Sequence, residues 1–350
     1  MIPGEKICYK DALVKIPLAL GVGDGFSLAE IVELAVFCDN NGYDSVWIPE
    51  DRLVRDAIVP TALSAYATRR VKLGTGVVNN RTRNAALMAV TFKTLFEVAP
   101  GRINLGIGAW WEPIASRVGT PLNQPLLMMR EYIHALKTLF RGETLNFEGE
   151  FVRMHDVSFD MLLAGNRHME PVPIPVYIGA TGPRMLELAG ELADGALLNL
   201  LVPPDYIREA VAHVRDGIAR RKDGVDRIDL PQMVACCLND DDPQSAIDTC
   251  KRFLLKYLRQ EPHVAEHSGI DHQLVERIRS QMSWTPTEAE LQDALPLISN
   301  PTVQNLAACG STSAVLEQVQ RFLGAGSTSA VLCILGHQEE TLRRLGRAAS

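Results

Sequence analysis

Short β-branched or aliphatic runs alternate with amphipathic helical stretches almost from end to end of this 350-residue chain. That rhythm limits the folds open to it, because period-2 runs and period-3.6 runs in strict alternation build parallel βα units. Ile16 to Val22 reads as a strand. Leu28 to Asn41 reads as a helix, with Ser27 as N-cap, Glu30 at the capping-box position and Gly42 past its end. Strands are then expected at Asp44–Pro49, Val71–Val78 and Arg102–Gly108, with helices at Ile58–Ala67 and Ala85–Phe96 between them. The second half continues with strands at Pro175–Gly179, Ala196–Leu200, Met233–Leu238 and Ser329–Leu335. Its helices are expected at Arg184–Ala193, Pro204–Arg221, Pro243–Leu255, Thr312–Phe322 and the C-terminal end. Eight strands in this order predict an α/β fold, a (β/α)8 TIM barrel; a doubly wound open sheet is the competing arrangement.

Two stretches interrupt the rhythm. Residues 141–172 carry an alternation suited to a small hairpin on the barrel rim, and residues 256–299 are polar and helical. Neither has linker composition, so residues 1–350 are expected to form one domain with two insertions. Hydrophobic residues make up 47% and charged residues 22%, enough to bury a core without staples. A net charge of −7 and the absence of any Lys/Arg run speak against nucleic acid or a membrane surface as partner. The seven cysteines are odd in number and lack Cys-x-x-Cys spacing, which suits a reducing cytoplasm. No basic-then-apolar leader and no 18-residue apolar run is evident, so a soluble cytoplasmic protein is expected.

In a parallel βα barrel the site lies past the C-terminal ends of the strands. Those positions hold Glu50, Asp51 and Arg52 after the second strand and Gly76 to Arg83 after the third. Ala109-Trp110-Trp111-Glu112 follows the fourth, and Gly179-Ala180-Thr181-Gly182-Pro183 the fifth. The last stretch bares backbone amides at a helix N-terminus, where a phosphate would be held; an ordinary Gly-Pro turn fits it equally. Glu50 and Asp51 read as a helix cap plus a surface charge, or as site acids. Trp110 and Trp111 suit an aromatic wall for a flat substrate, or packing under the rim insertion. Arg81 and Arg83 suit an anionic tail, or plain solvent exposure. His263, His267 and His272 with Asp271 lack the spacing of a metal site and read as a solvated helix face, so no metal is expected.

Four motifs taken together carry a resemblance. They are Tyr43-Asp-Ser-Val-Trp-Ile-Pro-Glu-Asp51, Leu73-Gly-Thr-Gly-Val-Val-Asn-Asn-Arg-Thr-Arg83, Gly101-Arg-Ile-Asn-Leu-Gly-Ile-Gly-Ala-Trp-Trp-Glu112, and the run Val176-Tyr-Ile-Gly-Ala-Thr-Gly-Pro-Arg184 continuing to Gly195. In order and over nearly the whole chain they resemble the bacterial-luciferase-like superfamily, TIM-barrel enzymes that use FMN or the deazaflavin coenzyme F420. Within it, Gly76 to Arg83 is most similar to the methylenetetrahydromethanopterin reductase branch, though it lacks that branch's proline. The resemblance implies hydride transfer between coenzyme F420 and a small organic substrate such as a pterin-type C1 carrier, and a homodimer. An FMN-dependent monooxygenase and a non-catalytic ligand-binding barrel are the alternatives. It implies a cofactor site at Glu50, Gly76, Val77, Asn79, Gly179, Ala180, Thr181 and Gly182, with a non-prolyl cis peptide at Gly76–Val77 behind the ring. Asp51 and Glu112 are the expected proton-transfer groups, and Trp110, Trp111 and Arg83 the expected substrate contacts. The branch has Asp-His where this chain has Glu50-Asp51, so Asp51 stands at the histidine position.

Overall fold

The computed structural model describes residues 16–23, 25–50, 52–159, 170–336 and 338–349. Its strands in chain order begin with β1 (Leu18–Gly21), β2 (Ser45–Ile48), β3 (Lys72–Thr75), β4 (Val78–Asn79) and β5 (Ile103–Gly108). They continue with β6 (Leu145–Glu148), β7 (Arg153–Val157), β8 (Val176–Ala180), β9 (Gly195–Leu198), β10 (Pro231–Leu238), β11 (Ala308–Gly310) and β12 (Ser329–Ile334). Parallel pairing runs β1-β2-β3-β5-β8-β9-β10-β12 and returns to β1 at Leu18↔Ala330, so eight strands close into a barrel. Closure removes every exposed edge from those eight strands.

Local chemistry explains where the helices start. Ser27 accepts from the Glu30 amide while Glu30 returns a bond to the Ser27 amide, and Asn84 caps the helix Ala85–Val98 through the Leu87 amide. Proline opens the helices Pro183–Leu192, Pro204–Ile218 and Pro243–Gln260, where a missing N–H costs nothing. The main core lies between barrel and helices, from Leu18 and Ile48 through Phe92, Leu105 and Ile178 to Leu332.

The structure departs from the expected elements at four places. The strand expected over Val71–Val78 breaks after Thr75: the Gly76–Val77 peptide is cis, and pairing with β5 resumes at Val78↔Ile107. A 16-residue helix, Pro125–Phe140, follows β5 where no element was read. The expected hairpin forms from β6 and β7, but it packs against that helix, held by Glu131 accepting from the amides of Glu150, Phe151 and Val152. The helix expected to end at Leu255 runs to Gln260. It is followed by the helices Pro262–His267, His272–Gln281, Glu288–Ala294 and Asn300–Gln304, which share a second core around Leu254, Ile278 and Val303. β11 then adds in parallel beside β10.

Candidate active site at the barrel mouth

The lower lumen is plugged. Trp47 and Tyr177 meet edge-on with centroids 5.0 Å apart, packed with Ala19, Leu197 and Val331. Glycines make room for them: a Cβ at Gly195 would lie 2.2 Å from the Tyr177 ring, and one at Gly74 2.7 Å from Trp47. Above the plug, Val77 is half-buried and rests on two more glycines. A Cβ at Gly108 would come within 2.7 Å of its side chain, and one at Gly179 within 3.1 Å. The centre of the mouth is therefore an apolar shelf formed by Val77 and bare backbone, with Gly76 buried beneath it.

One side of that shelf ends at Gly182, the N-cap of the helix Pro183–Leu192. No side chain caps this helix, and the space where a Gly182 Cβ would stand is open to 4 Å. Uncapped amides at the positive end of a ten-residue helix favour an anion. The turn is held from behind: the Tyr206 hydroxyl donates to the Thr181 carbonyl at 2.5 Å, and the Asn199 amide donates to the Thr181 hydroxyl at 3.4 Å. Ala180 turns its side chain into the main core, which leaves only its backbone to face a ligand.

On the other side stands Glu50, its side chain 11% exposed. Its Oε1 accepts from Asn79 Nδ2 and Arg83 Nη1, both at 2.9 Å. Its Oε2 lies 2.8 Å from the same guanidinium nitrogen, but off the N–H direction, and makes no hydrogen bond. Arg83 spends its other nitrogen on Asp56 at 2.6 Å. Asn79 Oδ1 accepts from the Arg81 and Thr82 amides and the Thr82 hydroxyl, so the loop after β4 winds around that one side chain. Arg81 in turn donates to the carbonyls of Ala109, Pro121 and Asn123. Burial pulls its pKa below the usual guanidinium range, with Glu112 opposing. Both arginines are thus engaged by protein partners in this structure.

Glu112 lies past β5. It faces solvent, and its carboxylate accepts from the Leu122 amide at 2.8 Å and the Ser116 amide at 3.1 Å. Those bonds, Leu122 first, hold its pKa below the ordinary carboxylate value. A carboxyl stabilised as the anion is a poor proton donor at neutral pH; here it ties the loop after β5 to residue 122. Trp110 follows β5 with φ +68° and is half-buried, its indole N–H buried without an acceptor; Trp111 is half-buried too. Asp51 lies outside the described residues. Asp56, Tyr206 and Gly108 touch Arg83, Thr181 and Val77, and the sequence alone does not single them out as partners. Only Gly108 left a signal, the glycine closing a strand in Gly106-Ile-Gly108.

A parallel βα barrel with a plugged floor, and with an apolar shelf and an uncapped helix start at its mouth, is the architecture in which a ligand site sits at the C-terminal rim. Residues 12–329 match the model of the luciferase-like monooxygenase family, and the chain belongs to that family. It is 27% identical over 308 residues to a 5,10-methylenetetrahydromethanopterin reductase of Archaeoglobus fulgidus, covering 87% of this chain and 89% of that one. To the enzyme of the same name from Methanolobus tindarius it is 31% identical over 244 residues, 69% of this chain and 72% of the other. Among solved structures, the coenzyme F420 dependent tetrahydromethanopterin reductase of Methanopyrus kandleri superposes with a TM-score of 0.82 at 22% identity, covering 96% and 98% of the two chains.

Proposed function

We propose that this chain is a coenzyme F420-dependent oxidoreductase that exchanges a hydride with a small organic substrate, a pterin-type C1 carrier first among them. The observation that carries the reading is the pairing of a flat apolar shelf, Val77 over Gly108 and Gly179, with an uncapped helix N-terminus at Gly182. Together they fit a planar ring with a phosphate on its side chain. The superposed Methanopyrus kandleri reductase is coenzyme F420 dependent, and reductases of the same kind are similar to this chain over most of their length, which favours the deazaflavin over FMN. When bound, such a cofactor supplies the hydride chemistry.

The chain's residues have separable tasks in this reading. The backbone from Gly179 to Gly182 binds the phosphate, and Val77 with Gly76 backs the ring. Glu50, pinned by Asn79 and Arg83, fixes the rim beside it. Trp110 offers its unpaired indole N–H to an acceptor on the substrate, and Trp111 lines the same wall. Proton transfer falls to Asp51, since Glu112 is held as the anion.

We also propose a homodimer of single-domain subunits in a reducing compartment. The six described cysteines are all free. Among the described residues, no helix is long and apolar enough to cross a membrane. The helix Ile58–Ala67 carries no charge on any face and exposes Val59, Leu63 and Tyr66 beside the exposed Leu87, Val90 and Val98 of its neighbour.

Titration of the protein with F420 and FMN, each oxidised and reduced, tests the assignment through tryptophan quenching. Tight binding of the deazaflavin is expected. Tight binding of reduced FMN with oxygen consumption and no response to F420 would make the chain a monooxygenase instead. Failure of every cofactor would leave a ligand-binding barrel.

A further inference from the structure

We propose that Glu261, on the helical insertion, is a positioning residue that clasps the loop after β2 over the barrel mouth; its bearing on turnover rests on the function proposed above. That loop leaves Glu50 and passes through Arg52 and Leu53, with φ +49° and +56°. Two consecutive non-glycine residues in the left-handed region persist only where their surroundings hold them. Leu53 and Val54 are exposed and supply no packing.

The hold comes from 209 residues away in sequence. Arg52 Nη2 lies 2.7 Å from Glu261 Oε1, and its guanidinium stacks 5.1 Å over the Tyr257 ring. The Glu261 side chain is 4% exposed. Its backbone is fixed at a corner, its N–H donating to the Tyr257 carbonyl and its carbonyl accepting from the Val264 and Ala265 amides.

Six residues further on, His267 packs on Tyr206 with rings 5.4 Å apart, and Tyr206 holds the Thr181 carbonyl. The first turns of the insertion thus reach both the phosphate-binding turn, through Tyr206, and the loop after β2, through Arg52. The two contacts use different side chains, Tyr206 for the phosphate turn and Glu261 for the loop after β2. Loss of the second should leave cofactor binding intact while residues 52–55 loosen.

The test compares Glu261→Gln and Glu261→Asp with the parent, as full chains. Amide hydrogen exchange over residues 50–55 is expected to quicken about ten-fold in Glu261→Gln, to be intermediate in Glu261→Asp, and to stay unchanged at residues 181–186. With cofactor, kcat is expected to fall about ten-fold while the F420 dissociation constant stays within about two-fold. Arg52→Met, which keeps the stem and removes the fork, should reproduce the exchange pattern if Glu261→Gln does not fold. Unchanged exchange at 50–55, or equal quickening across the whole molecule, overturns the proposal. If the parent binds no deazaflavin while the exchange pattern holds, the clasp stands and the functional reading falls.

Discussion

Glu112 and Glu50 are both acids at strand ends, yet their partners differ. Two loop amides keep Glu112 ionised in solvent, whereas Glu50 sits against Asn79 and Arg83 with one oxygen lacking a hydrogen bond. Asp51→Asn is therefore expected to lower kcat by about 100-fold or more with cofactor affinity unchanged, and Glu112→Gln by no more than about three-fold. Steady-state kinetics on both variants checks this, and the reverse order would return the acid role to Glu112. Gly182 offers a separate prediction. Its φ of −79° and open surroundings admit an alanine at little cost in stability, about 0.5 kcal/mol or less. A methyl there intrudes on a bound phosphate, so Gly182→Ala should keep its melting temperature and lose cofactor affinity about ten-fold or more. Calorimetry and the cofactor titration measure the two effects separately. At this scale the sequence showed which residue types stand at strand ends. It could not show that Arg81 and Arg83 are spent on loop carbonyls and carboxylates, because those partners come from other βα units.

Among the elements, the hairpin β6–β7 depends on one carboxylate in the helix Pro125–Phe140. Burial raises the Glu131 pKa, but the amides of Glu150, Phe151 and Val152 outweigh it and bring the value below the usual glutamate range. Gly149 is needed beside it, since a Cβ there would lie 2.4 Å from the carboxylate. A depressed folded-state pKa means the stabilisation is fully present above the unfolded value of about 4.3 and is lost as pH falls through the folded one. The hairpin should accordingly loosen in acid before the barrel does, read as proteolytic nicking near residue 150. Glu131→Ala, which strands three amides, should cost about 2 kcal/mol in urea denaturation. The hairpin's alternation was legible in the sequence. Its anchoring helix was passed over because the span between Glu112 and Arg141 begins in an irregular loop, with Gln124 at φ +42° just before the first helical turn.

At the scale of the whole molecule, the proposed homodimer needs a face on which to pair. Val59, Leu63 and Tyr66, with Leu87, Val90 and Val98 of the neighbouring helix, expose large apolar side chains together, and such a patch marks an association surface. The helix Ile58–Ala67 at its centre has no charged residue, which suits two-fold self-pairing, where residues near the axis meet their own copies and like charges would repel. Leu63→Arg is expected to halve the mass seen by light scattering. A parent protein that is already monomeric at micromolar concentration would dismiss the dimer.

The alternation of strand and helix periods, with a cap at Ser27 and prolines at helix starts, is local information carried by neighbours along the chain, and it favoured a parallel βα barrel over an open sheet. The sequence also marked the glycine turn at 179–182, since an uncapped helix start after a strand can be read in order. Only the tertiary structure decided the rest. Whether Arg83 faces a ligand or Glu50, and what holds Arg52, depend on partners 33 and 209 residues away. Closing the barrel brings those partners together, and no local preference encodes which of them will meet.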